Sequence, residues 1–210
     1  MGELYFFRLA EMIKAFGADT FFETGTGFGL GVQVARTVPF NLIFSVEIVA
    51  AEVERIRPAF SSDRRVQLLI GRSIDLMPQI LPKIPGNMIF WLDAHFPGAH
   101  HHIQKYDSEK DIDTRLPLEK ELSLIRQLRP GKRDVILIDD LRIYEQDKFE
   151  WGNLSDIGQQ GLGKYDCNFL YSTFQDTHDA HRFLNHSGYL ALIPKSQFPA
   201  TVPSPAAEAG

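Results

Sequence analysis

The chain has 210 residues, of which 44% are hydrophobic and 23% are charged, and this composition is typical of one ordinary globular domain. Its formal net charge of −5 at pH 7 disfavours nucleic acid as a partner, because a nucleic-acid backbone requires a basic face. A single cysteine, Cys167, excludes an internal disulfide, and no apolar run is long enough to span a bilayer. We therefore expect a cytoplasmic protein without a membrane partner.

The first predicted elements are a leading helix and a short buried strand. Apolar residues recur at helical spacing near the N-terminus, and Gly17 ends the pattern, so residues 1–17 are predicted to contain a helix. The apolar run Thr20–Phe22 predicts a strand that stops at Glu23. Four glycines follow at alternate positions, namely Gly25, Gly27, Gly29 and Gly31. Glycine lacks a Cβ, so this turn lets the backbone come close to a ligand.

Strands and helices then alternate along the chain. Apolar runs predict four more strands, at about residues 41–48, 66–70, 87–93 and 134–139. Helical patterns separate them, ending near residue 37 and covering about residues 50–60, 73–82 and 118–128. Such continuous apolar strands between helices indicate a parallel sheet covered on both faces.

The alternation changes after Asp140. Residues 168–174 and 188–193 predict two strands with little room for a helix between them, hence an antiparallel pair at the sheet edge. The predicted fold class is α/β, a doubly wound, mostly parallel seven-stranded sheet with an antiparallel C-terminal edge hairpin. We expect one domain over residues 1–197 and a loose tail over residues 198–210.

The glycine turn discriminates between nucleotide ligands. A Gly-x-Gly-x-x-Gly dinucleotide fingerprint is broken here, and no Gly-Lys-Ser/Thr follows to make a phosphate-binding loop. The pattern acidic-x-Gly-x-Gly-x-Gly, from Glu23 to Gly29, resembles the first motif of class I S-adenosylmethionine-dependent methyltransferases. This resemblance spans nearly the whole chain. It implies the doubly wound fold and S-adenosylmethionine contacts at Glu23, Gly25, Thr26, Gly27 and Gly29.

Other positions at strand ends extend the predicted cofactor site. Glu47 ends the second strand, where an acid accepts hydrogen bonds from the ribose of an adenosine group. Glu23 is predicted either to orient the glycine turn or to accept from the methionine ammonium. The family usually has an acid after the third strand near the adenine amine, but this chain has Gly71-Arg72-Ser73. Arg72 cannot accept a hydrogen bond, so we assign the adenine contact to Ser73. Asp93, after the fourth strand, is also predicted to contact the cofactor.

Asp93 and Asp139 follow the fourth and fifth strands, and Asp140 comes next. In the usual strand order these strands are neighbours, and clustered carboxylates repel one another unless a cation joins them. The set resembles that of metal-dependent O-methyltransferases, particularly the macrocin and related sugar-hydroxyl group, which implies a divalent ion, Mg²⁺ by preference. Adjacent residues in a strand point to opposite faces, so Asp139 and Asp140 share an ion only if the strand ends at Asp139. Otherwise Asp93 is a lone polar residue and Asp140 caps a helix.

Histidines offer further candidates. His95, together with Asp93, is predicted to act in catalysis, His95 as a base for an acceptor hydroxyl; a substrate-contact or supporting role is the alternative. The connection over residues 97–117 is predicted to cover the acceptor side, and its three histidines, 100–102, are predicted to be solvated rather than to bind zinc. His178 and His181 are predicted to be surface residues of the connection before the last strand.

The leading hypothesis is an enzyme that transfers a methyl group from S-adenosylmethionine to a hydroxyl of a small molecule, with a sugar as one acceptor, assisted by a divalent metal. One alternative is a metal-independent O- or N-methyltransferase that uses Asp93 or His95 directly. Another is a non-catalytic methyltransferase-like binding module, which Arg72 favours. An NAD-linked oxidoreductase ranks below these because the fingerprint is broken. The sequence leaves a homo-oligomer open.

Overall fold

The computed structural model describes residues 3–97, 109–155 and 166–195. Seven strands form one sheet in the order β3-β2-β1-β4-β5-β7-β6. They are β1 Ala18–Thr24, β2 Leu42–Glu47, β3 Val66–Ile70, β4 Asn87–Leu92, β5 Val135–Ile138, β6 His178–Phe183 and β7 Tyr189–Pro194. Neighbouring strands from β1 to β5 are parallel, whereas β7 is antiparallel to both β5 and β6. The predicted mostly parallel sheet with an antiparallel C-terminal edge is confirmed.

Helices cover both faces of this sheet. They are α1 Leu9–Phe16, α2 Leu30–Arg36, α3 Ala50–Phe60, α4 Ser73–Ile80, α5 Ile112–Arg115, α6 Leu118–Leu128 and α7 Phe169–Ser172, with 3₁₀ turns at Leu4–Phe6, Leu81–Lys83 and Leu141–Ile143. Phe21 and Phe22 belong to different core clusters, one on each face, because successive strand residues point in opposite directions. The strands β4, β5 and β7 therefore show buried side chains without alternation. No helix of the described residues is both long and apolar enough to cross a membrane.

The predicted edge strand at residues 168–174 is wrong. This stretch contains α7, and the edge strand β6 begins at His178 instead. Leu170 and Phe174 are four residues apart and both pack into the core. A single helical turn is too short to display a helical period in the sequence. β6 has mostly exposed side chains, as expected at a sheet edge, so it lacks the apolar run that identified the other strands.

The prediction for His178 is also wrong. This residue lies within β6 and is buried, and its ring Nε2 is 2.9 Å from the carbonyl oxygen of Asp134. Burial lowers the pKa of His178, although the contact with Asp134 opposes the shift. His181, in contrast, is only partly buried on the same strand. His178 therefore helps to attach the edge strand to the start of β5.

The amino ends of β4 and β5 are closed by a buried ion pair. Arg129 Nε lies 2.5 Å from Asp134 Oδ2, and the guanidinium also donates to the carbonyl oxygens of Leu81, Ile84 and Gly86. Asp134 Oδ1 in turn accepts from the Met88 amide at 2.7 Å. Strand order reverses between β1 and β4, and in such sheets ligands bind outside the carboxyl ends at this point.

Candidate functional site

A pocket lies over the carboxyl ends of β1, β2 and β4. Six predicted site residues line it, namely Gly25, Gly27, Glu47, Ser73, Asp93 and His95. Of the other predicted cofactor residues, Glu23 and Thr26 are buried in its wall, and Gly29 packs on α3, where an added Cβ would lie 2.8 Å from the Phe60 ring. The structure thus separates the predicted set into residues that face the pocket and residues that support its wall.

Gly25 makes the closest approach in the glycine turn. Its φ is +80°, and a Cβ added there would lie 2.5 Å from the Asp93 carbonyl oxygen. Its amide donates to the Val46 carbonyl at 2.9 Å. Glycine is required because any side chain would force β1 away from the tip of β4. Gly27, at φ +49°, has open space around its Cβ position and lines the pocket.

Glu47 ends β2 with its carboxylate in the pocket. Oε2 accepts from the Gly27 amide at 3.1 Å, and Oε1 accepts from the Val49 amide at 2.9 Å. Only 8% of the residue is exposed. Each carboxylate oxygen has two lone pairs, so both oxygens can accept another hydrogen bond from a ligand. The arrangement suits a ligand with a pair of neighbouring hydroxyls.

Glu23 supports the turn from behind. It accepts a hydrogen bond from the Ser45 hydroxyl, which also contacts Thr26 Oγ1 at 2.7 Å. A Cβ on Gly31 would lie 1.8 Å from Glu23 Oε1, so the first turn of α2 rests directly on this carboxyl. Burial raises the pKa of Glu23 to about 8, although the Ser45 bond opposes the shift and the charge of Glu47 adds to it. This position matches the predicted orienting role rather than a ligand contact.

Glu23→Gln should change how stability depends on pH. The unfolded chain releases the Glu23 proton near pH 4.5, whereas the folded chain keeps it until about pH 8. Folding thus becomes less favourable as pH rises between these values. The free energy of unfolding of the wild type should fall by on the order of a few kcal/mol relative to that of the glutamine variant. Urea denaturation at pH 5 and pH 8.5 measures the difference. Exposed Glu54→Gln is the control; identical pH profiles for wild type and Glu23→Gln would contradict the assignment.

Asp93, His95 and Asp140 form a compact polar cluster beside the pocket. One ligand atom from each lies within 4.8 Å of the others. His95 Nε2 is 2.9 Å from Asp140 Oδ2, and His95 Nδ1 is 3.7 Å from Asp93 Oδ1. All three side chains are largely buried. The cluster contains two of the three predicted metal ligands and the predicted base.

Asp139, the third predicted metal ligand, lies outside this cluster. β5 ends at Ile138, before both acids, and Asp140 adopts a left-handed backbone conformation with φ +49°. The strand end that a shared ion requires is therefore present, but Asp139 is not part of the cluster. Asp139 Oδ1 accepts from the Ser187 hydroxyl at 2.8 Å. Its Oδ2 is buried and accepts no hydrogen bond of normal geometry from the described residues.

The pKa values of Asp93, Asp139 and Asp140 are shifted in different directions. Burial, followed by repulsion from Asp139 and Asp140, raises the pKa of Asp93 well above its usual range. Burial and the charge of Asp140 raise the pKa of Asp139 to about 6. Burial also acts against the charge on Asp140, but His95 and Arg142 outweigh it and hold the pKa of this acid below its ordinary value. Arg142 Nε lies 2.8 Å from Asp140 Oδ1. The cluster has more negative groups than its neighbouring cations neutralise.

Arg72 lies at the mouth of the pocket. It pairs with Asp75 at 3.1 Å and with Asp111 at 3.2 Å. Asp111 caps α5, since its side chain accepts from the Asp113 amide, and it also accepts from Thr114 Oγ1 at 2.8 Å. Arg72 therefore links the start of α4 to the segment that leads into α5.

Only part of the predicted acceptor-side connection can be placed. Residues 98–108, with the three histidines, lie outside the described residues, as does the predicted tail over residues 198–210. The described remainder contributes Asp113, Thr114 and Pro117 to the pocket lining. The end of this connection therefore borders the pocket, and its place on the acceptor side stays a prediction.

Sequence reasoning missed Arg142, Ser187 and Glu121. The first two lie in irregular segments, and no local pattern connects them with Asp139 or Asp140. Glu121 could have been found, because it occupies an apolar position of α6 in line with Leu118, Leu122 and Ile125. A charged residue in such a stripe is unusual and calls for a partner.

Comparison with known proteins supports the architecture. The sequence matches no protein-family model and no curated protein. Solved structures do match. SAH-bound methyltransferase PaMTH1 from Podospora anserina has a TM-score of 0.59 and 16% identity, over 90% of this chain and 76% of that one. A putative caffeoyl-CoA O-methyltransferase from Staphylococcus aureus gives 0.56 and 11%, over 93% and 85%. An O-methyltransferase from Bacillus cereus in complex with SAH gives 0.54 and 16%, over 93% and 82%. At these identities the likeness establishes the methyltransferase-type fold that the sequence motif implied.

Proposed function

We propose that this protein is an S-adenosylmethionine-dependent methyltransferase. The observation that carries the proposal is the Glu47 carboxylate, which the Gly27 and Val49 amides hold in a pocket at the reversal point of the sheet. An acid at this position accepts both hydroxyls of a ribose. Matched solved structures with the same fold are described as bound to SAH, the demethylated cofactor, which supports the same ligand here.

In this proposal, different pocket residues contact different parts of the cofactor. Glu47 takes the ribose, and the Gly25–Gly27 turn lets the backbone approach the sulfonium end. Ser73, at the first turn of α4, lines the pocket after the third strand and can accept a hydrogen bond, which Arg72 cannot, so we assign it to the adenine. Asp93 and His95 then lie where the methyl group is transferred. Positioning of this kind is worth up to about 7–11 kcal/mol of the barrier in favourable cases.

Glu47→Gln should weaken SAH binding. The amide replaces one carboxylate oxygen with a donor, so one of two charge-assisted hydrogen bonds to the ribose is lost, and affinity should fall about 10- to 100-fold. Isothermal titration calorimetry with SAH measures this directly. Glu54→Gln, on the exposed face of α3, should bind as the wild type does. Unchanged affinity in Glu47→Gln, or the absence of SAH binding by the wild type, would contradict the proposal.

We further propose that the cluster beside the pocket holds a divalent cation. Asp93, His95 and Asp140 present ligand atoms close together, and the buried Asp139 Oδ2 still lacks a hydrogen-bond donor among the described residues. The residues present therefore fit a cation. An imidazole nitrogen among carboxylate oxygens favours Mn²⁺ or a later transition metal over an all-oxygen Mg²⁺ site. When bound, the ion would lower the pKa of an acceptor hydroxyl.

The chain's own groups account for the remaining chemistry. The acceptor oxygen attacks the methyl carbon, the carbon–sulfur bond breaks, and the electron pair stays on sulfur, which becomes neutral. The hydroxyl proton passes to the Asp93 carboxylate, which has a second oxygen besides the one that would hold the ion. His95 has no nitrogen left to accept it, because one faces Asp140 and the other would hold the ion. The acceptor is a hydroxyl-bearing small molecule; a sugar is one such candidate.

Metal removal separates this reaction from its alternative. We expect the EDTA-treated protein to bind Mn²⁺ again, seen as loss of the free-ion signal in electron paramagnetic resonance, and Asp140→Asn to bind it at least about tenfold more weakly, since it loses a charged ligand. SAH formation with a panel of vicinal-diol acceptors should stop in EDTA and return with Mn²⁺. Full turnover in EDTA would refute the metal and leave the second candidate, metal-independent transfer with the His95–Asp140 pair as base.

A further inference from the structure

Glu121 is a buried acid that the reaction outlined above does not use. It lies on the inner face of α6, and its exposed fraction is 0%. Around it are the apolar residues of one core cluster, among them Leu118, Leu122 and Ile125. Neither carboxyl oxygen completes a hydrogen bond of normal geometry with the described residues. Such a group normally destabilises a fold by about 1–3 kcal/mol, so its presence requires an explanation.

The groups closest to this carboxyl point to the explanation. The hydroxyls of Ser73 and Thr24 face it and lower its pKa, but burial prevails and raises the pKa of Glu121 to about 7. Thr24 Oγ1 is itself buried without a well-formed hydrogen bond in the described part of the chain. Glu121, Thr24 and Ser73 thus form a small polar cluster inside an apolar region.

This cluster is directly behind the cofactor pocket. Ser73 lines the pocket and is the first residue of α4. Thr24 is the last residue of β1, immediately before Gly25. A group that contacts both residues therefore touches the pocket wall on its adenine side and at the start of the glycine turn. Glu121 itself does not belong to the residues that line the pocket.

We propose that Glu121 is a positioning residue for S-adenosylmethionine, which fixes the Ser73 hydroxyl toward the adenine from behind the pocket wall. This inference rests on the proposed function. A protonated carboxyl both donates and accepts hydrogen bonds. It can accept from one of the two hydroxyls and donate to the oxygen of the other, whose own hydrogen then stays free for the ligand. Ligand binding then completes a hydrogen-bond chain that is incomplete without it.

Glu121→Leu tests the role because stability and binding should change in opposite directions. Leucine fills an apolar stripe and removes a buried carboxyl, so the melting temperature at pH 8 should equal or exceed that of the wild type. SAH affinity, measured by isothermal titration calorimetry, should nevertheless fall about 3- to 10-fold, as expected for one misplaced hydrogen bond. Glu121→Gln keeps a donor and an acceptor and should bind within about threefold of the wild type.

A double-mutant cycle supplies the second readout. In the Ser73→Ala background, Glu121→Leu should have no further effect on SAH affinity, because the hydroxyl that it positions is gone. Additive effects on SAH affinity, or an unchanged SAH affinity in Glu121→Leu, would overturn the positioning role. The proposed function would still stand in that case, provided that the wild type binds SAH. Absence of SAH binding by the wild type would instead overturn both. Glu121→Met takes the place of the leucine variant if the latter does not fold.

Discussion

Asp93→Asn is expected to lower kcat by about 10³-fold or more while the protein still binds SAH. Asp93 stands at the tip of β4, where its amide donates to the Thr24 carbonyl at 3.1 Å and its side chain borders both the pocket and His95. Asparagine has nearly the same shape, so these backbone contacts persist. What disappears is the negative charge that the proposed cation requires and the carboxylate that would accept the hydroxyl proton. The measurements are SAH formation at saturating cofactor and SAH affinity by calorimetry.

Asp113→Asn is the matched control for this substitution. Asp113 also lines the pocket, but it lies on α5 at the acceptor side and outside the acid cluster. Its kcat should stay within about threefold of the wild type, since it loses no proposed ligand or base contact. Equal losses in both variants would show that any carboxylate bordering the pocket matters. Retention of full activity by Asp93→Asn would remove Asp93 from the reaction.

Gly25→Ala should be the most destabilising substitution in the glycine turn. The new Cβ would lie 2.5 Å from the Asp93 carbonyl oxygen and 2.8 Å from its carbon, and φ is +80°. Both atoms belong to backbone that β1 and β4 hold in register, so the clash is relieved only by separating the strand tips. We expect the free energy of unfolding to fall by at least about 3 kcal/mol, which corresponds to about 6–12 °C in Tm, and we expect no detectable SAH binding.

Gly27→Ala provides the comparison. Its φ is also positive, at +49°, but no heavy atom lies within 4 Å of the added Cβ. Only the left-handed conformation is penalised, so the loss should be about 1 kcal/mol, or about 2–4 °C. Differential scanning calorimetry of the two variants measures the contrast. Equal Tm values for them would contradict the close approach of Gly25 to the tip of β4.

Much of the fold could be predicted because the sheet is buried on both faces. Each strand from β1 to β5 contains a short apolar run, and α3 and α6 have the predicted bounds. β6 could not be found in this way, because its exposed edge position removes the apolar signal. The wrong strand at residues 168–174 arose from aromatic residues that pack from a short helix instead.

The site was predictable where it depends on strand ends and unpredictable where it depends on side-chain direction. Gly25, Glu47 and Asp93 meet at the pocket because parallel strands end at one edge of the sheet. Asp139 lies outside the cluster although β5 ends at Ile138 as a shared ion requires, because its side chain accepts from Ser187 instead. The partners Ser187 and Arg142 come from distant or irregular segments. Such contacts follow from tertiary packing, which local sequence does not encode.

A crystal structure of the protein with SAH and Mn²⁺ would show directly whether Glu47 binds the cofactor. We expect both ribose hydroxyls within hydrogen-bond distance of the Glu47 carboxylate, the cofactor sulfur over the tip of β4, and anomalous density for manganese between Asp93 and Asp140. SAH bound elsewhere, or a ribose that does not contact Glu47, would contradict this expectation.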